Sequence, residues 1–299
     1  MRVFITGASG WIGSAAVDEL LAHDYEVLGL ARSDASAAAL EAKGSGITVL
    51  RGDLDDLDSL RRGATETDAT LHLANKHDFA HPGVSDKAER AAVETIGEAL
   101  VGTNKKFLLA SGIAGAGTGA PLTENDASPF IGPDSPRGGS ENRALDFVSQ
   151  GVGTVSLRFA PTVHGVGDHG FIALITGAAK RNGVSGYVGE GSNSWAAVHR
   201  SDAARLIRLG LEKAAPGTLL HAIGEQGVPT RAIAEAIGAG LGLPVESITA
   251  EAATAQLGMI GTFFGMDVQA SSAITRELLG WEPSGPTLLD DIAAGAYFG

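Results

Sequence analysis

The chain has 299 residues, a formal net charge of −13 and no cysteine. This length is sufficient for one large domain or two smaller ones, with a substantial buried core. The excess of carboxylates argues against nucleic acid or an anionic membrane as a partner, because both require a basic face. The lack of cysteine excludes disulfides, thiolate metal sites and a cysteine nucleophile.

No apolar segment typical of a signal peptide precedes the first predicted strand. No apolar run reaches the length of a membrane-spanning helix. We therefore expect a cytoplasmic protein that acts on a small molecule.

The N-terminal segment predicts a nucleotide site. A short apolar strand, 3–5, is followed by the turn Thr6–Gly13 and by a helix over 14–21. In this turn Gly7 permits a tight bend, Gly10 lets backbone N–H groups approach a pyrophosphate, and Gly13 lets the helix pack closely on the sheet. The helix N-terminus adds partial positive charge. The turn also contains Ser9, Trp11 and Ile12 among the candidate cofactor-binding residues.

Strand and helix signals alternate along the rest of the first half. The further predicted strands are 25–31, 47–50, 69–74, 107–110 and 154–160, and the helices are 34–42, 57–63, 86–101 and 141–149. This alternation predicts an α/β fold, a doubly wound (Rossmann) parallel sheet covered by helices on both faces.

After residue 160 the pattern is looser. It predicts helices over 171–180, 201–213, 230–241 and 271–279, a strand over 218–223 and a glycine-rich loop over 183–195. We expect a dinucleotide-binding domain made of 1–163 with 196–223. The remainder, 164–195 with 224–299, is expected to form a smaller C-terminal α/β cap that binds substrate.

Several blocks, in this order and spacing, resemble the extended or atypical branch of the short-chain dehydrogenase/reductase superfamily, the epimerase/dehydratase-like proteins. After the turn these blocks are 52–54, 72–74, 158–165 and 198–204. The resemblance implies a cofactor contact for each of these blocks except the last. It places Asp53 and Leu54 near the adenine, Leu73 and Ala74 beside the ribose, and Pro161 and Val163 near the nicotinamide.

The end of the second predicted strand indicates which dinucleotide is bound. A site selective for NAD places a carboxylate there, to hold the ribose hydroxyls. This chain has Arg32 and Ser33 instead, and no carboxylate until Asp34. A guanidinium matches a phosphate in two hydrogen bonds, so we predict NADP. A surface arginine with no cofactor role is the alternative.

The family's proton relay is missing. The relay is a serine or threonine with a Tyr-x-x-x-Lys pair, in which the tyrosine protonates the carbonyl oxygen. At the matching places this chain has Arg137 for the tyrosine and Glu141 for the lysine. The serine is Ser111 in one register, whereas another register puts Gly112 there.

The loop after the fourth predicted strand offers a substitute. Lys76, His77 and Asp78 follow that strand, and the sites of parallel sheets lie at the carboxyl ends of strands. His77 is a candidate proton donor near neutral pH, and Lys76 a candidate substrate contact. A charged, solvated loop is the equally weighted alternative. No metal site is expected at His164 and His169, whose spacing is not diagnostic.

Aromatic residues of the predicted cap indicate an apolar substrate. Tyr187, Trp195 and Phe263 are candidate substrate contacts, although packed core positions are the alternative for each.

Three functions are predicted, in order of preference. The first is an NADPH-dependent reductase of an apolar ketone, imine or enone; the second is an NADP-binding sensor without turnover. The third is a nucleotide-sugar epimerase or dehydratase. Family members often dimerise, so a homodimer is left open.

Overall fold

The structure is a computed structural model that describes residues 1–78, 81–113 and 120–299. In these ranges the strands are β1 (Arg2–Thr6), β2 (Glu26–Ala31), β3 (Ile47–Arg51), β4 (Ala69–His72), β5 (Lys106–Gly112), β6 (Gly153–Phe159), β7 (Thr162–His164), β8 (Ser185–Val188), β9 (Ser194–His199), β10 (Leu219–Ala222), β11 (Glu225–Pro229) and β12 (Val245–Ile248).

The helices of the described ranges are α1 (Trp11–Leu21), α2 (Asp34–Glu41), α3 (Leu57–Thr65), α4 (Pro82–Leu100), α5 (Ser140–Asp146), α6 (Phe171–Asn182), α7 (Arg200–Lys213), α8 (Thr230–Leu241), α9 (Ala250–Leu257), α10 (Met259–Phe264), α11 (Ala273–Leu279) and α12 (Leu288–Ala293). Two 3₁₀ turns, Pro136–Gly139 and Phe147–Gln150, flank α5. Within the described residues, no helix combines the length and apolar character needed to cross a membrane.

Seven strands form one parallel sheet in the order β10-β6-β5-β4-β1-β2-β3. The strand order reverses between β1 and β4, where Thr6 lies opposite His72. Helices α1, α2 and α7 cover one face of the sheet, while α3, α4 and α5 cover the other. This confirms the predicted doubly wound fold, and it places the carboxyl ends of β1 and β4 at the crevice where such sheets bind ligands.

The other strands form two small sheets, with orders β11-β9-β7 and β12-β8. A third core lies here, built on Trp195, Phe264 and the apolar faces of α6, α8 and α12. The three-stranded sheet takes β7 and β9 from stretches bordering the predicted nucleotide domain and β11 from the predicted cap. The division into two domains stays a prediction.

One sequence prediction of local structure was wrong, and one predicted helix starts at a different residue. The segment 183–195 is not one loop, because β8 and the start of β9 lie within it. Its glycines obscured the strand signal. The predicted helix 86–101 begins earlier, at Pro82, where the fixed φ of proline suits the first helical turn.

Candidate functional site

The turn after β1 has the geometry of a phosphate cradle. Gly7 has φ +70°, and a Cβ there would lie 2.9 Å from the Ala74 nitrogen. A Cβ on Gly13 would lie 2.0 Å from the Gly7 carbonyl oxygen, so only glycine fits. Helix α1 begins at Trp11, and the N–H groups of its first turn have no carbonyl partner within the helix. These free donors, with the helix dipole, fit a dinucleotide pyrophosphate.

Trp11, the first residue of α1, is held from several sides. Its indole Nε1 donates to the Val163 carbonyl at 2.7 Å, which brings that predicted nicotinamide neighbour beside the turn. The Arg200 guanidinium lies 4.2 Å from the indole centroid, and its Nε donates to the Trp11 carbonyl. The His169 ring meets the indole edge-on at 5.9 Å. The cofactor turn is therefore fixed by residues remote in sequence.

A buried polar pair joins β1 to β4 at the crevice. The Ala74 N–H donates to Thr6 Oγ1, and the same hydroxyl is hydrogen-bonded to His72 Nδ1 at 2.7 Å. Complete burial, followed by the positive charge of Arg137, lowers the pKa of His72 to about 4. His72 is thus a neutral group that positions the Thr6 hydroxyl, to which the Ala74 N–H is bonded.

At the far end of the crevice, two arginines lie near the predicted ribose position. Arg32 is exposed directly after β2. Arg51, in register with Ala31 on the neighbouring strand, donates to the Ser33 carbonyl and to Asp34 Oδ1, both at 2.8 Å. The charge of Asp34 is therefore offset by Arg51. The sequence interpretation missed Arg51, although its place at the end of β3 was a usable signal.

The other predicted cofactor residues lie along the same edge. Asp53 is exposed after β3, and its Oδ1 accepts from the Asp55 N–H at 2.8 Å. Leu54 beside it is buried, whereas Leu73, Ala74 and Pro161 are half-buried.

At the family's tyrosine place, Arg137 is fixed by a buried carboxylate. Its Nη2 and Nε donate to the two oxygens of Glu89, at 2.5 and 3.1 Å, and Nη2 also donates to the Ala110 carbonyl. Arg137 has a left-handed backbone, φ +56°, held by an N–H bond to Asp86. Burial raises the pKa of Glu89, while Arg137 opposes that rise. Among the described residues, Nη1 of Arg137 has no hydrogen-bond partner, and the side chain is 34% exposed.

At the family's lysine place, Glu141 belongs to a second buried ion pair. Arg158 Nε donates to Glu141 Oε1 at 2.7 Å, and both side chains are 5% exposed. Ser111 donates to Glu141 Oε2 at 2.9 Å, so the structure brings Ser111 rather than Gly112 to this group. The Ser111 proton is committed to the carboxylate. The predicted relay positions are therefore occupied by two ion pairs, Arg137–Glu89 and Glu141–Arg158.

Glu89 and Arg158, which complete these ion pairs, were missed by the sequence interpretation as site residues. Glu89 lies on α4, 48 residues before Arg137, and Arg158 lies on β6. A charged residue inside a predicted apolar strand was the available signal for Arg158. Glu89 gave none, because a glutamate on a long helix is normally exposed.

The loop after β4 is charged, and one of its cations is already paired. Lys76 Nζ lies 2.7 Å from both carboxylate oxygens of Asp55. His77 has φ +51° and a solvent-accessible side chain. Partial desolvation of the ring lowers the pKa of His77, and the charges of Arg137 and His169 lower it further. His77 therefore lies electrostatically close to both, but it is mostly neutral at pH 7. Asp78 accepts from the His81 N–H at 3.0 Å.

The candidate substrate residues separate into three environments. The prediction that Trp195 contacts substrate is corrected, because its side chain is 0% exposed. It belongs to the core and packs against the rings of Phe171, Phe263 and Phe264. Phe263 is half-buried and remains available. Tyr187 lies on β8 in the two-stranded sheet, with the Arg231 guanidinium 5.4 Å from its ring centroid. In the described ranges no group of three or more metal-ligating side chains occurs.

The fold and the glycine turn define a Rossmann-type protein, and comparison with known proteins gives its family. The model of the NAD dependent epimerase/dehydratase family matches residues 3–222, so the chain belongs to that family. This confirms the resemblance to the extended branch of the short-chain dehydrogenase/reductase superfamily. An uncharacterized protein of Schizosaccharomyces pombe is 43% identical over all of both chains.

Solved structures agree in fold. A UDP-glucose 4-epimerase from Thermotoga maritima, solved with UDP-glucose, has a TM-score of 0.75 at 18% identity and covers 100% of this chain and 98% of its own. A dTDP-glucose 4,6-dehydratase from Streptomyces venezuelae, solved with NAD, has a TM-score of 0.77 at 22% identity, covering 99% and 96%. At these identities the likeness concerns fold alone. With the family match, it supports an enzyme of this superfamily that uses NAD or NADP.

Proposed function

We propose that the chain is an NADP-dependent reductase of an apolar carbonyl-type substrate, working without the Tyr-x-x-x-Lys relay. The observation that carries this proposal is the Arg137 guanidinium at the predicted tyrosine place, which Glu89 fixes while Nη1 has no hydrogen-bond partner among the described residues. A bound nicotinamide supplies hydride chemistry. The chain's own contribution is a charged hydrogen-bond donor beside the Ala110 carbonyl of β5, which could stabilise negative charge on a carbonyl oxygen of the substrate.

Arginine can stabilise that oxygen, but it cannot protonate it, since its pKa is above about 12. His77 is the proposed proton donor, with water as the alternative. The lowered pKa of His77 makes it a stronger acid when protonated, although less of it is protonated at pH 7. Such a site suits activated ketones, imines and enones, which require little acid assistance.

The aromatic residues beside this edge support an apolar substrate. Phe171 and Phe263 are half-buried, with ring centroids 5.7 Å apart, above the enclosed Trp195. Ile113, directly after β5, packs against both this third core and the core of the main sheet. Through Ile113, the core that contains these rings is continuous with the end of β5.

The preference for NADP rests on the arginines at the ends of β2 and β3. Arg51 pairs with Asp34, and the exposed Arg32 would meet a 2′-phosphate. We expect Arg32→Asp to weaken NADPH binding at least about tenfold and to change NADH binding little. The exposed Arg61 on α3 is the matched control: Arg61→Asp should change neither affinity. Equal losses for both nucleotides in Arg32→Asp would refute the preference.

The test of the reaction is NADPH oxidation against a panel of activated ketones, cyclic imines and enones. Turnover on one class supports the reductase. In that case Arg137→Lys should lower kcat by about 10²-fold without changing NADPH affinity, because a lysine cannot keep both the Glu89 contact and the free donor.

A second candidate is an NADP-binding protein without turnover. The two ion pairs that occupy the relay positions favour it, since neither offers an ordinary proton donor. Tight NADPH binding with no oxidation across the panel would support this candidate. The third candidate, nucleotide-sugar epimerisation or dehydration, fits the family and the structural neighbours. Nucleotide-sugar conversion with no net NADPH oxidation would support it.

A further inference from the structure

The segment 163–170 lies against the cofactor turn, and we call it the strap. Besides the Val163 bond to the Trp11 indole, a Cβ on Gly165 would lie 3.6 Å from that indole, and one on Gly167 would lie 3.8 Å away. His169 closes the contact edge-on. The strap and the first residue of α1 therefore form one packed unit, and displacement of the strap must disturb Trp11.

The strap is itself fastened by the C-terminal part of the chain. His164, 0% exposed, lies with its Nδ1 2.6 Å from Asp291 Oδ2 on α12. The Tyr297 hydroxyl donates to Asp168 Oδ2 at 2.9 Å, while Asp168 Oδ1 accepts from the Gly170 N–H. Tyr297 is 7% exposed, with its ring in the third core.

Other charged groups lie close to the His164–Asp291 contact. Glu225 on β11 has its Oε2 3.8 Å from His164 Nε2, and the His199 Nε2 lies 3.9 Å from Asp291 Oδ2. Burial lowers the pKa of His164, although Asp291 opposes the shift, so the histidine is held neutral between two carboxylates. Removing the donor of a buried hydrogen bond to a charged acceptor costs stability, because water cannot take the place of the donor.

We propose that Asp291 and Tyr297 are positioning residues for the dinucleotide site, acting through the strap on Trp11. The C-terminal segment then sets cofactor affinity without touching the cofactor. This inference rests on the proposed nucleotide binding at the turn, but its structural part concerns only this chain's residues.

Tyr297→Phe tests the inference because it removes one hydroxyl and keeps the ring in the core. We expect the Kd for NADPH to rise about three- to tenfold, the effect of one hydrogen bond to a charged group. Asp291→Asn should act in the same direction. Tyr25→Phe is the matched control, since the Tyr25 hydroxyl also donates to a carboxylate, that of Glu212 at 3.1 Å, at the opposite edge of the sheet.

A second readout does not require the cofactor. Trp195 and Trp281 are 0% exposed, whereas Trp11 is half-buried, so acrylamide quenching of tryptophan fluorescence reports mainly on Trp11. Loosening the strap should increase quenching in Tyr297→Phe and Asp291→Asn but not in Tyr25→Phe.

Unchanged quenching and an NADPH Kd within about twofold of wild type in Tyr297→Phe, even with a lower Tm, would make Tyr297 merely structural and overturn the inference. If the wild-type protein binds neither NADPH nor NADH, the proposed function fails. The quenching of Tyr297→Phe against Tyr25→Phe then still decides whether the C-terminus holds Trp11.

Discussion

The buried ion pair between Glu141 and Arg158 makes the sharpest energetic prediction. Arg158→Met would leave the Glu141 carboxylate with the Ser111 hydroxyl as its remaining hydrogen-bond partner among the described residues. The substitution would also remove the bonds of Arg158 to the Asp126 carbonyl and to His221. An unpaired buried charge costs about 3–5 kcal/mol, so we expect the free energy of unfolding to fall by that amount.

The double variant Glu141→Gln/Arg158→Met should recover much of the loss, because no unpaired charge then stays buried. Urea unfolding at pH 7, followed by circular dichroism, measures all members of the cycle. The exposed pair Asp58–Arg61, 94% and 51% exposed, is the control, and Arg61→Met should cost less than about 1 kcal/mol. A loss below about 1 kcal/mol in Arg158→Met, or a double variant whose loss is the sum of both singles, would refute the reasoning.

Three further outcomes are expected. His77→Ala should lower kcat by about 10²-fold, the lower end for general acid catalysis, because activated substrates require little acid assistance. The wild-type rate should fall as pH rises through the lowered pKa of His77, below 6.5, and this pH dependence should be absent in the variant. In the wild-type protein, an unfolded histidine takes up a proton near pH 6.5, whereas folded His72 does so only near pH 4. The free energy of unfolding should therefore fall by up to about 3 kcal/mol as pH decreases through that window. His72→Asn should remove this contribution to the pH dependence of stability. Urea titrations across pH check this, and an unchanged slope contradicts it. Gly13→Ala should abolish NADPH binding because its Cβ meets the Gly7 carbonyl at 2.0 Å, whereas Gly83→Ala, with open space around it, should bind normally in the same titration.

Much of the nucleotide half could be read from the sequence because its signals are local. The first strand, the glycine turn and the first helix occupy consecutive residues. At each of the three glycines, Gly7, Gly10 and Gly13, nearby backbone atoms leave little room for a Cβ. The alternation of apolar strands with amphipathic helices likewise determined the doubly wound sheet. The strands within 183–195 were not predicted, because glycines there weaken the strand signal and the strands are short. The partner of β8 is β12, which lies far along the chain.

The sequence alone also predicted that Arg137 and Glu141 stand at the relay positions, since a position in a motif is a local property. Only the tertiary structure decided what they do. Glu89 and Arg158 meet them from a helix and a strand distant in the chain, and a charge becomes a fixed, buried partner only once the surrounding elements exclude water. Trp195 changed from a candidate contact to core for the same reason: the sequence states that a side chain is apolar, but packing decides which apolar side chains lie inside.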